Sequence, residues 1–346
     1  MRVAFLTTSY PRDESDAAGA FMRDAVDDLR AAGLEIDVVS PATFDHYGIA
    51  YGAGIMGNLR GSPGKALLLP AFLAAYTRSA RRAAVTADLV HAHWLPSGLP
   101  ARATGKPYLL TIHGTDAELA RHAAALFRPL VRSARMVLCV SESLTDTARR
   151  LGAREVRVVP MGIAVPDTTV EPDEPPHVLF VGRLSEEKGV LELAEAVRDL
   201  PLVVVGDGPL RERLPQAVGF VPPTELPGYL DRAAVVVCPS RREGYGVVAR
   251  QAMAHARPVV ATAVGGLAEA IVDGESGLLV PPGDPGALRA ALDRLLGDAG
   301  LRARLGSAAR ERVKERYSRQ IAARETLAAY EAVLQPEAPQ IADDSV

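Results

Sequence analysis

The chain is short of long apolar runs. The longest, Ala66–Ala75, is broken by Pro70 and reaches only half of the ~20 residues that a membrane-crossing helix needs. The opening Met1-Arg2-Val3-Ala4-Phe5-Leu6 is too brief in its apolar part for a signal peptide and runs straight into a turn. Cysteine is scarce. Cys139 and Cys238 each end an apolar run, so a disulfide framework is excluded and buried thiols in a reducing compartment are expected. No Asp-x-Asp pair occurs, which argues against a metal-chelated diphosphate. Neither sign of charge dominates. The 39 Lys and Arg against 42 Asp and Glu leave a net charge of −3, which argues against a nucleic-acid partner.

What is present describes a soluble globular protein: 346 residues, 48% apolar and 23% charged. At roughly 150 residues per domain the length fits two domains, each able to bury its own core. A cytoplasmic location is expected. Charge is unevenly spread. Residues 1–170 carry 19 basic and 16 acidic side chains, whereas residues 171–346 carry 20 and 26. Two stretches of the first half lack acids: Arg60 to Ala87, and Leu119 to Val140. Both combine basic residues with apolar ones at helical spacing, a pattern suited either to a solvated helix face or to peripheral contact with an anionic membrane.

Short apolar runs alternate with helical patterns, the signature of parallel βαβ units. In the first half the runs are Val3–Thr7, Ile36–Ser40, Leu89–Ala92, Tyr108–Ile112, Met136–Val140 and Val156–Val159. In the second they are Val178–Val181, Leu202–Val205, Ala217–Val221, Val235–Cys238, Val259–Ala261 and Leu278–Val280. A proline-rich stretch without apolar periodicity separates the two sets. The spacing predicts a domain over 1–165, a linker over 166–176, a second domain over 177–318, a final helix over 319–335 and a disordered tail over 336–346. Two doubly wound α/β domains would face each other across a cleft lined by strand C-termini, the usual ligand site of open α/β sheets.

Several segments sit at those strand ends. Gly182-Arg183 and Lys188 flank the turn after Val181, with a helix expected from near Glu186, so that two cations can converge on one anion, a diphosphate by preference. Gly206-Asp207-Gly208 ends the next strand in the same way. Glu243-Gly244-Tyr245-Gly246-Val247 lies between a strand ending at Cys238 and a helix beginning near Val247. Its glycines admit a ligand to the backbone, and its amides sit at a helix N-terminus, an anion site. Glu243 can accept from sugar hydroxyls, and Gln251 follows about one turn into that helix. In the first half, His113 ends a strand before Gly114 and is expected to point into the cleft, with Asp116 as helix N-cap. His91 and His93 alternate onto one face but lack further ligands for zinc. Gly52-Ala53-Gly54-Ile55-Met56-Gly57 matches G-x-G-x-x-G. No strand precedes it and Phe72–Thr77 holds no acid, so a flexible loop over the cleft is expected rather than a nicotinamide site.

Taken together, Gly19, the His113-Gly114-Thr115-Asp116 turn, Gly182-Arg183 with Lys188-Gly189, Gly206-Asp207-Gly208-Pro209 and Glu243-Gly244-Tyr245-Gly246 resemble retaining glycosyltransferase family 4 over about residues 1–334. The resemblance implies the GT-B fold, two Rossmann-like domains facing a central cleft, with the last helix crossing back to the first domain. It implies a nucleotide-diphosphate sugar as donor substrate, no cofactor and no metal. A glycan, a lipid-linked or a small-molecule acceptor is expected, the basic stretches favouring a lipid-linked glycan. Arg183 and Lys188 would hold the diphosphate, and Glu243 the donor sugar, near the amides of Tyr245 to Val247. His113 would approach the sugar from the acceptor domain. Gly19 would let the first loop close, and the backbone around Val221 would meet the base.

Two positions depart from the family pattern. Gln251 stands where a second glutamate takes both ribose hydroxyls; an amide accepts there without the charge-assisted pair. Ala256 stands where glycine is usual, so a less regular helix end is expected. The resulting expectation is a hexosyltransferase of cell-surface glycan or glycolipid synthesis. An impaired or non-catalytic nucleotide-sugar-binding relative and a sugar-nucleotide epimerase on the same fold are the alternatives.

Overall fold

The computed structural model describes residues 1–13, 16, 19–51 and 54–335; the predicted tail 336–346 lies outside them. The first domain carries strands β1 (Arg2–Leu6), β2 (Glu35–Val39), β3 (Leu89–His93), β4 (Tyr108–Ile112), β5 (Met136–Cys139) and β6 (Val156–Val158). Its helices are α1 (Ala20–Ala31), α2 (Gly54–Gly61), α3 (Leu69–Ala84), α4 (Gly98–Ala103), α5 (Gly114–Ser133) and α6 (Thr145–Arg150). The strands pair in parallel in the order β2-β1-β3-β4-β5-β6. Every residue of β3 and β4 is buried, as expected of a parallel sheet covered on both faces.

Alternation along the strands divides the core in two. Val3, Phe5, Leu89 and Leu109 pack with Met22, Val26 and Leu29 of α1. Ala4, Leu6, Val90 and Leu110 pack with Phe72, Tyr76 and Ala80 of α3 and with Leu130 and Val131 of α5. Thus α1 lies on one face of the sheet and α3 to α5 on the other.

The second domain carries β7 (Val178–Val181), β8 (Leu202–Val205), β9 (Val235–Cys238), β10 (Val259–Thr262) and β11 (Leu278–Val280). All pair in parallel, in the order β11-β10-β9-β7-β8. Its helices are α7 (Val190–Ala196), α8 (Leu226–Arg232), α9 (Val247–Ala254), α10 (Gly265–Ala270), α11 (Pro285–Gly297) and α12 (Ala299–Arg316). The final helix, α13 (Arg319–Leu334), leaves this domain and packs on α1. Arg319 forms an ion pair with Asp28 at 2.7 Å, and Ala329, Tyr330 and Val333 join the α1 core. The chain therefore crosses between domains twice. The crossings touch, since Ile163 N–H donates to Tyr317 O (2.8 Å) and Arg319 N–H to Ile163 O (3.2 Å).

Four expectations are corrected. Ala217–Val221 is not a strand. It holds one isolated bridge, Gly206 to Gly219, because Gly219 turns the backbone to φ +91° and the prolines at 222 and 223 have no N–H to donate. The glycine-rich segment is helical from Gly54 onward; residues 52 and 53 lie outside the described set. After Arg183 a single 3-10 turn, Glu186–Lys188, precedes α7, since Gly189 adopts φ +69° between them. The end of α9 is regular. Ala256 N–H donates to Met253 O and Arg257 N–H to Ala252 O, closing a Schellman motif with Ala256 at φ +57°.

An alanine in the left-handed region costs about 1 kcal/mol that glycine avoids, offset in part by the entropy of glycine in the unfolded chain. Ala256→Gly is expected to raise the melting temperature of the second domain by about 1–3 °C. Differential scanning calorimetry of the two proteins checks this; a lower melting temperature would contradict it.

Candidate active site

The C-terminal ends of β7, β8 and β9 form one wall. The turns after β7 and β8 pack backbone to backbone: Gly182 N–H donates to Val205 O (3.0 Å) and Leu184 N–H to Asp207 O (2.9 Å). A Cβ on Gly206 would overlap Gly182 O, and one on Gly208 would sit 2.5 Å from Leu184 O. These two glycines therefore hold two loops together. Asp207 does not cap a following helix; its carboxylate takes the Gly208 amide (2.7 Å) and the Arg211 guanidinium (3.1 Å). Val221 is half-buried against the interdomain core.

The two expected cations differ in their surroundings. Arg183 is exposed, and its side chain makes no hydrogen bond or ion pair among the described residues. Lys188 is half-buried, and its Nζ lies 2.6 Å from Glu243 Oε2. Ser240 Oγ lies 3.4 Å from the same oxygen. A side chain expected to meet phosphate and one expected to meet sugar thus hold each other.

The loop from Glu243 to Val247 is clamped between the domains. Gly244 lies against Gly114 of the first domain. A Cβ on Gly114 would come 2.9 Å from Gly244 Cα, and a Cβ on Gly244 would overlap Gly114 Cα. The expectation that Gly244 admits a ligand is thus refined: its missing side chain admits the other domain. Ser141 Oγ donates to Gly244 O (2.8 Å), and Tyr245 Oη to Met161 O (2.6 Å). Gly246, at φ +79°, begins α9, so the amide of Val247 is at a helix N-terminus. Gln251 is half-buried on α9 and forms no side-chain hydrogen bond among the described residues.

His113 does not open into the cleft. Its ring is 5% exposed, covered by Trp94 at 4.4 Å and Phe21 at 5.8 Å between centroids. It lines a hollow of ≈ 60 Å³ with His93, Asp24 and Met161. His113 Nε2 bonds His93 Nδ1 (3.2 Å), whereas His113 Nδ1 and His93 Nε2 are buried without partners. His91 bonds Tyr330 Oη (2.7 Å) and Thr111 Oγ1 (2.6 Å). Burial lowers all three imidazoles, His91 and His113 to about 3, so they are neutral at pH 7. Asp116 is not the N-cap of α5. His113 holds that position, and Asp116, three residues on, accepts from His113 N–H (2.6 Å) and Leu95 N–H (2.8 Å). Gly19 holds the N-cap position of α1 at φ +77°, next to residues outside the described set.

Sequence reasoning missed three features. Arg250 is buried, its guanidinium 3.8 Å from the Tyr245 ring centroid and 4.4 Å from that of Tyr317, and it donates to Tyr245 O. A charged residue inside the apolar pattern of α9 was the available signal. Glu269 of α10 reaches the other domain and accepts from the amides of Glu142 and Ser143 (2.8 and 2.7 Å). Arg242 pairs with Glu118 of α5 at 3.0 Å. Nothing in the sequence near either residue marks these interdomain contacts. Among the described residues no group of three or more His, Cys, Asp or Glu could hold a metal ion, and no helix is long and apolar enough to cross a membrane.

Comparison with known proteins settles the family. Residues 18–165 match the Glycosyltransferase Family 4 profile and residues 175–298 the Glycosyl transferases group 1 profile. The putative teichuronic acid biosynthesis glycosyltransferase TuaC of Bacillus subtilis (strain 168) is 30% identical, over 85% of this chain and 89% of its own. The chain belongs to glycosyltransferase family 4. Alpha-maltose-1-phosphate synthase of Mycolicibacterium smegmatis is 31% identical over 96% of this chain and all of its own length. Among solved structures, sucrose-phosphate synthase from Thermosynechococcus elongatus superposes with a TM-score of 0.79 at 23% identity, covering 96% of this chain and 98% of its own. Anabaena HepE, solved with UDP-glucose, gives 0.71 at 18% identity over 95% of this chain and all of its own. The fold is therefore GT-B, and the protein is a glycosyltransferase of that fold.

Burial raises the Asp116 carboxyl to about 7, against the lowering effect of its two amide donors. The folded state then holds this proton more tightly than the unfolded state does. Its contribution to stability is present below about pH 4 and declines as pH rises toward 7. The stability of wild type relative to Asp116→Asn is therefore expected to fall between about pH 4 and pH 7. Urea unfolding of both proteins across that range measures it, and a constant difference would refute the assignment.

Proposed function

We propose that the protein is a retaining, metal-independent hexosyltransferase that uses a nucleotide-diphosphate sugar and acts in the cytoplasm on an acceptor of cell-surface glycan or glycolipid synthesis. The observation that carries this reading is the convergence of Arg183, the Lys188–Glu243 pair and the N-terminus of α9 at the ends of β7 and β9. Negative charge grows on the leaving diphosphate as the bond to the anomeric carbon breaks. Cations and helix amides fixed at that place act on the transition state more than on the ground state. Lys188 exchanges Glu243 for phosphate oxygen, and Glu243 is freed to accept from donor-sugar hydroxyls. The leaving phosphate takes the proton of the acceptor hydroxyl as it attacks the same face, so no pair of carboxylates is required. Similarity to HepE, solved with UDP-glucose, and to TuaC, named for teichuronic acid biosynthesis, supports a nucleotide-sugar donor and a glycan acceptor. A lipid-linked or a small-molecule acceptor fits the same site.

Gln251 favours a second reading, a relative that binds nucleotide sugar with little or no turnover. Turnover with UDP-, GDP-, ADP- and dTDP-sugars separates the two, and thermal-shift titration with the same sugars without metal, alongside Gln251→Glu, tests the donor binding that both require. Gln251→Glu is expected to tighten donor binding about 5- to 30-fold, equal to about 1–2 kcal/mol for a charged rather than neutral acceptor. No stabilisation by any donor in either protein would reject both readings.

Turnover tests the mechanism. Arg183→Ala with Lys188→Ala is expected to lower kcat at least 100-fold, each such group being worth about 3 kcal/mol in the transition state, while the melting temperature changes little. Wild-type turnover in the double variant would overturn the assignment.

A further inference from the structure

The sheet face covered by α3, α4 and α5 has an outer surface unlike the rest of the protein. No acid occurs from Arg60 to Ala87, from Leu89 to Thr115 or from Leu119 to Val140. α4 packs between α3 and α5, so these segments form one continuous surface. Two open depressions mark it. One, of ≈ 580 Å³, is lined by Arg102, Arg128, Arg132 and Arg154; the other, of ≈ 730 Å³, by Arg78, Arg82, Val85 and Leu99. None of these six arginine side chains makes a hydrogen bond or ion pair among the described residues. Arginines elsewhere do: Arg289 pairs with Asp199 and Asp293, Arg319 with Asp28, and Arg241 with Glu192. Favourable placement at a helix C-terminus accounts for Arg82, Arg102 and Arg132, which lie in last turns. It does not account for Arg78, Arg128 or Arg154.

Large apolar side chains stand among them. Val85 is 76% exposed, Leu126 67% and Leu99 42%. An acidic protein or a polyanion in water would match the charge and leave these side chains unused. An anionic bilayer uses both, phosphate headgroups meeting arginine while leucine and valine enter the acyl boundary. We propose that the outer face of α3, α4 and α5 is a membrane-docking surface for an anionic bilayer. The six arginines lie in the later turns of these helices or just before β6, toward the N-terminal edge of the sheet, so docking leaves the cleft at the opposite edge open to solvent. The inference is independent of donor and mechanism.

Flotation of the full-length protein with vesicles of phosphatidylglycerol and phosphatidylcholine, or of phosphatidylcholine alone, tests it. Binding is expected only with phosphatidylglycerol and is expected to weaken from 0.1 to 0.5 M salt. Arg128→Ala with Arg132→Ala is expected to weaken it about 25-fold, about fivefold per arginine. Val85→Ser with Leu126→Ser is expected to weaken it as well, and both variants are expected to keep the wild-type circular dichroism spectrum. No binding of wild type to either vesicle would overturn the proposal. So would full binding by either variant, or binding to heparin without binding to the vesicles.

Discussion

Gly114 opens α5 in the first domain, and Gly244 lies just before α9 in the second. The two backbones meet so closely that neither position has room for a side chain. Further contacts between the domains gather around that approach. Ser141 reaches Gly244 O, Tyr245 reaches Met161 O and Glu269 caps the turn at Glu142 because the chains are already together there. His113 and Glu243 are each one residue from the contact. The junction thus brings the candidate groups of both domains to one point, although they lie 130 residues apart in sequence.

Charge is handled differently on the two sides of this junction. The first domain keeps His91, His93 and His113 buried and neutral, linked to Tyr330 of a helix that comes from the far end of the chain. The second buries a full cation. Among the described residues Arg250 has no carboxylate partner; two tyrosine faces and one carbonyl receive its guanidinium. Such burial is costly unless the charge is compensated, and aromatic faces compensate a guanidinium without neutralising it. The loop that carries Gly244 and Gly246 therefore rests on a positive charge.

The sheets were legible in the sequence because parallel strands covered on both sides must be continuous apolar runs, as Leu89–Ala92 and Tyr108–Ile112 are. Ala217–Val221 was misread on the same apolar pattern: Val218 and Phe220 are exposed, the segment meets the end of β8 through one isolated bridge, and Gly219 prevents it from extending. The chemistry at the strand ends could be located because a turn of glycines and charges stands out against those runs. How those residues pair could not. The bond between Lys188 and Glu243 spans 55 positions, and that between Glu269 and Ser143 spans 126. No local pattern encodes either. Asp116 was assigned to the wrong position of α5 since N-cap and third-residue carboxylates follow a strand equally well.

The two crossings between the domains are bonded to each other, Ile163 lying beside Ser318 in a parallel bridge. Two separate tethers would allow sliding, twisting and separation. Two tethers joined at one place leave the domains hydrogen-bonded to each other there, so that parting the chain at this point means breaking both bonds.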